Sequence, residues 1–186
     1  MICYTLSDCV LKNMDKEDEI IHDIVMILLI KNNPHKLVVD KTGKIIEIYK
    51  EAIKDNLAVF HLLQIIGDAL HKKLVSIEVN DMETTAPKEE IFLSVCSQTA
   101  DKILIVYDHN GWTRDKYYPK RVILHNKITP IKVLDREEAI KLLSLTDDKE
   151  ARKEIATYEK ELSAALKNKE NKKKPTNNNG ANYDKM

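Results

Sequence analysis

A chain of 186 residues can build one domain with a sizeable core and little beyond it. Its 30 basic and 30 acidic side chains cancel, so no global field draws it to nucleic acid or to a membrane; a nucleic-acid contact would need a local patch. Cys3, Cys9 and Cys96 show no close-pair spacing, which argues against a disulfide framework or a zinc site and fits a reduced, cytoplasmic setting.

In chain order, Ile2–Leu6 reads as a strand closed by Ser7 and Asp8. Residues 17–32 read as a helix with acids in its first turn, stopped by Asn33-Pro34. Its apolar run, Ile24–Ile30, is far below the roughly 20 residues of a bilayer crossing. No basic segment precedes an apolar one at the start, so no signal peptide is expected. Lys36–Asp40 is a second strand, followed by the turn Lys41-Thr42-Gly43-Lys44. An amphipathic helix spans 45–56, with Ile45, Ile48, Tyr49, Ala52 and Ile53 on one face and Glu47, Lys50, Glu51 and Lys54 on the other. A single further helix is expected over 57–73, then a short strand over 74–79 and a polar loop over 81–88.

The segment from Lys88 to Asp108 is the most informative. Glu89 and Glu90 open a helix, where acids complement the unpaired amides and the helix dipole. A one-residue turn is expected next, then a strand over Ile103–Tyr107 that is apolar on both faces, as a covered parallel strand should be. Asp108 falls at the carboxyl end of that strand, where open α/β sheets form their sites. After the Asn110-Gly111 turn, weaker strands at 121–124 and 131–134 precede a helix led by Asp135, which ends near Leu145.

These elements make one α/β domain over residues 1–145, with a short, mostly parallel sheet flanked by helices in three layers. A charged helical extension occupies 146–166, where Ile155, Tyr158, Leu162 and Leu166 recur at helical spacing and offer a narrow docking stripe. Residues 167–186 are Lys- and Asn-rich, with too little apolar surface to offset ordering, and are expected to stay disordered.

The ordered series of strand-end and helix-start acids resembles the PIN-like nuclease domains. Leu37–Tyr49 looks like their second strand and helix, Glu90–Ser97 like the acid-led helix, and Ile105–Asp108 like the strand bearing a late acid. The resemblance implies Asp8, Glu47, Glu90 and Asp108 as carboxylates holding magnesium or manganese, with Glu47 as a ligand or a base that orients water. Relative to the family pattern, Asp8 stands one residue late and Glu47 one residue early; Asp40 and Glu51 are the alternatives to Glu47. Such hard cations prefer carboxylate oxygens, and they relieve the repulsion of clustered acids.

The implied activity is metal-dependent hydrolysis of phosphodiester bonds, in RNA more than in DNA, by a toxin or defence effector held by a partner protein. Lys41, Lys44, Arg114, Lys116, Lys120 and Arg121 would contact phosphates. The rival is a noncatalytic subunit of the same fold within a larger assembly. Each acid also has an ordinary reading. Asp8 and Asp40 suit turns, Glu47 and Glu51 suit a solvated helix face, Glu89 and Glu90 a helix start, and Asp108 a turn before Asn110-Gly111. Trp112 with Tyr107, Tyr117 and Tyr118 suits a packed loop or a base-stacking platform. Ser94 and Cys96 fall on a helix expected to be buried.

Overall fold

The structure, a computed structural model, describes residues 1–11, 22–23, 33–79, 88–106, 120–124 and 127–172. Its centre is β1 (Cys3–Leu6), which pairs in parallel with β2 (Lys36–Asp40) on one side and β4 (Ile103–Ile105) on the other. β3 (Leu74–Ile77) extends the sheet beyond β2, and β6 (Lys127–Leu134) extends it beyond β4, both in parallel. Among the described strands, β5 (Lys120–Leu124), at the edge, alone runs antiparallel, paired with β6. The order β3-β2-β1-β4-β6-β5 reverses direction at β1 and β4. A crevice opens at such a reversal, beyond the carboxyl ends of the two strands.

The central strands consist of residues that suit burial on both faces. Tyr4, Ile103, Leu104, Ile105, Leu37, Val38 and Val39 are all buried. Each such side chain contributes roughly 1.5–3 kcal/mol on leaving water, which is what holds short strands together here.

Among the described residues, the helices with stated bounds are α1 (Lys44–Ile53), α2 (Leu57–Ile65), α3 (Gly67–Lys73), α4 (Lys88–Gln98), α5 (Arg136–Leu143) and α6 (Asp148–Lys172). α1 turns Ile45, Tyr49 and Ile53 inward, and Tyr49 stacks on Phe92 of α4 at 6.1 Å between ring centres. Asp135 caps α5 through a reciprocal box with Glu138.

Several expectations need correction: the helix expected over 45–56 ends at Ile53, the strand expected over 74–79 ends at Ile77, and the strand expected over 131–134 begins at Lys127. The single helix over 57–73 is two: Ile66 leaves helical geometry (φ −96°, ψ 5°), and α3 restarts at Gly67. The one-residue turn before β4 is four residues long, Thr99 to Lys102. There the Thr99 hydroxyl donates to the Cys96 carbonyl and accepts from the Lys102 amide, and Lys102 takes φ 52°. β4 ends at Ile105 rather than 107; Val106 still donates to the Leu134 carbonyl, and Tyr107 lies outside the described residues. The helix expected over 17–32 is described only at His22 and Asp23, both helical.

α6 begins where Asp147 accepts from the Lys149 and Glu150 amides, and it runs six residues past the expected end at 166. Ala151, Ile155 and Tyr158 are buried in the core of the domain itself, so this half of the expected docking stripe is already covered from within. The Arg152 guanidinium donates to Asp101, whose other oxygen accepts from the Cys3 amide at 2.8 Å. Residues 173–186 lie outside the described residues. Among the described residues no helix is long and apolar enough to cross a membrane.

Candidate functional site

The carboxyl ends of β1 and β4 are tied together by backbone. The Ser7 amide donates to the Ile105 carbonyl at 2.9 Å, and the Val106 amide to the Leu134 carbonyl at 2.8 Å. Directly after β1 the chain turns tightly through a 3-10 segment, Asp8–Val10, closed by Val10 N–H to the Ser7 carbonyl and Leu11 N–H to the Asp8 carbonyl. Asp8 opens this segment and is 4% exposed. Buried carboxylates are uncommon and require compensation, so its position at the sheet's reversal point marks a candidate site.

Tyr49 approaches the same place from α1. Its hydroxyl donates to the Leu6 carbonyl at 2.5 Å, which fixes α1 against the end of β1. Burial, with Tyr4 and Asp8 beside it, pushes the phenol well above its ordinary pKa, so it stays a neutral donor. The sequence marks Tyr49 only as a core position; its role as a clamp on β1 has no signature in spacing. Below Leu6, the buried Thr5 hydroxyl has no hydrogen-bond partner among the described residues.

Asp40, an alternative to Glu47, ends β2 and is fully engaged in local structure. One oxygen accepts from the Ile45 amide at 2.7 Å; the other accepts from the Lys44 amide at 3.0 Å and from the Thr42 hydroxyl. Burial alone would raise its pKa, but these donors outweigh it and hold the carboxyl below its ordinary value. The first amides of α1 are therefore occupied by a side chain of the protein. Glu47 sits in the first turn of α1 on the exposed face, two residues, about half a turn, from each of the buried Ile45 and Tyr49. Glu51 is exposed and pairs with Lys54 at 2.5 Å.

Glu90 lies in the first turn of α4, as expected, but its side chain is outside what the structure describes, and Asp108 lies outside the described residues. So do His109, Trp112, Arg114, Lys116, Tyr117 and Tyr118, while Lys120 and Arg121 are placed on β5 by backbone only. Lys41 and Lys44 are both exposed at the β2–α1 connection, and Lys41 pairs with Glu78 at 2.6 Å. Ser94 and Cys96 are buried, as the sequence implies, and burial pushes the Cys96 thiol far above its ordinary pKa.

Among the described residues no three His, Cys, Asp or Glu side chains gather closely enough to hold a metal. Of the acids considered for a hard cation, Asp8 is buried at the reversal point, Asp40 has its oxygens engaged in local structure and Glu47 is exposed. Comparison with protein-family models, with curated proteins and with solved structures gives no match.

Proposed function

We propose that the chain is a metal-dependent endonuclease of the PIN-like type, acting on RNA in preference to DNA. The observation that supports this reading is the place of Asp8. It is a buried carboxylate immediately after the central strand, at the point where strand order reverses and α/β sheets build their sites. Asp8, Glu90 and Asp108 would hold magnesium or manganese, with Glu47 further out. Such a cation supplies charge neutralisation and Lewis acidity toward a phosphodiester.

The chain's own contribution is orientation. The 3-10 turn and the Ser7–Ile105 bond leave Asp8 little freedom, and the Tyr49 hydroxyl on Leu6 braces the strand end beneath it. Lys41 and Lys44 stand exposed at the neighbouring connection, where phosphates of a bound strand would pass. The outward position of Glu47 favours a second reading, a noncatalytic interaction subunit of the same fold.

Cleavage of labelled single-stranded RNA and DNA with manganese or magnesium separates the two. Wild type should cut RNA in a metal-dependent way, and Asp108→Asn and Asp8→Asn should each lose at least tenfold. No cutting by pure wild type supports the interaction subunit. Equal cutting by wild type and both variants removes this site from consideration.

A further inference from the structure

α6 has two chemically different sides. On the side facing the domain, Ala151, Ile155 and Tyr158 are buried, and three of the helix's acids pair with cations of the domain or of its own first turns. Glu154 pairs with Lys141 at 2.7 Å, Glu159 with Lys132 at 3.1 Å, and Asp148 with Arg152 at 3.7 Å. The opposite side carries Lys149, Lys153, Lys160 and Lys167, all exposed and none in an ion pair with a described residue. At about 100° per residue, the seven-residue steps from Lys153 to Lys160 to Lys167 return to nearly the same direction, and Lys149 falls within about 40° of it. The row rises about 27 Å along the helix, about 6 Å from Lys149 to Lys153 and then about 10.5 Å, close to two turns, at each further step.

From these observations we infer that this lysine row is a docking track for the phosphodiester backbone of a nucleic-acid strand. The inference rests on the nucleic-acid-directed reading above and names how the substrate is held. With Asp148, Glu154 and Glu159 paired elsewhere, the four lysines outnumber the two exposed acids beside them, Glu150 and Glu161, so this face is net positive although the whole chain is neutral. A polyanion with regularly repeating charge is the complement of a regularly repeating row of cations. A membrane surface is the poorer fit. Between the lysines lie Ala156, Thr157 and Ala164, which provide no apolar anchor, and Ala151, Ile155 and Tyr158 of the helix are enclosed by the domain.

The test is anisotropy of a fluorescein-labelled 20-nucleotide RNA with the full chain in EDTA, so that binding is read without cleavage. Lys153→Gln/Lys160→Gln/Lys167→Gln is compared with a control of equal charge loss, Lys50→Gln/Lys54→Gln/Lys72→Gln. The track variant should bind about tenfold more weakly at low salt, and its log–log salt slope should fall by about 2, from roughly 0.7 per lost contact; the control should move less than about twofold. Equal weakening by both variants, unchanged binding by the track variant, or wild-type binding to phosphatidylserine vesicles but not to the RNA overturns the inference. Track-dependent binding without metal-dependent cleavage keeps this inference and removes the nuclease reading. Cleavage with track-independent binding does the reverse.

Discussion

Asp40 shows how a single acid at a strand end can serve structure alone. Its carboxylate satisfies two amides at the start of α1 and the Thr42 hydroxyl, in a buried position. Asp40→Ala leaves the Lys44 and Ile45 amides without that acceptor and should cost about 2 kcal/mol, the upper part of the range for a lost helix cap. The folded pKa lies below the ordinary value. The contribution is therefore complete above the unfolded value of about 3.9 and is lost as pH falls through the folded one. Urea denaturation should show wild type ahead of Asp40→Ala at pH 6, with the two converging below about pH 4. A gap of the same size at pH 3 would show that the charge of Asp40 contributes nothing.

At the scale of elements, the backbone of the β2–α1 connection depends on one glycine. Gly43 takes φ +83°, while Gly67 at the start of α3 has no such requirement, and an added Cβ would meet nothing within 4 Å at either. With steric clashes absent at both, the two substitutions isolate backbone conformation. Gly43→Ala should destabilise by about 1 kcal/mol. Gly67→Ala should be neutral or stabilising by up to about 1 kcal/mol, as thermal denaturation of the two variants beside wild type would show. The same connection was well marked in the sequence: β2 has the bounds expected, because Pro34 stops what precedes it and Lys-Thr-Gly turns the chain after Asp40. The break at Ile66 was not legible, since a glycine inside a helical pattern is commonly tolerated and Leu57–Lys73 is otherwise continuous in helix formers. Nor was the inward packing of Ile155 and Tyr158, because helical spacing shows that a stripe exists and not what it packs against.

At the scale of the whole molecule, alternating strands and helices made the α/β class readable, whereas the reversal of strand order between β1 and β4 had no mark in the sequence. The site was less readable because single acids at strand ends and helix starts look alike whether they cap, turn or ligate. Asp8 illustrates this. Its one-residue offset would matter on a strand, where it flips the side chain, but it sits beyond β1 in a 3-10 turn and is buried nonetheless. That position gives the metal reading a signature that a structural acid would not have. Grouped carboxylates repel one another without a cation, so Asp8→Asn in EDTA should be at least as stable as wild type. In excess manganese the order should invert, because only wild type gains fully from binding, by about 2.7 kcal/mol at a hundredfold excess over the dissociation constant. Urea midpoints of both proteins, with EDTA and with manganese, test this directly. If Asp8 merely closes its turn, the variant is weaker by the same margin in both solutions, because the hydrogen bonds lost then have nothing to do with the ion.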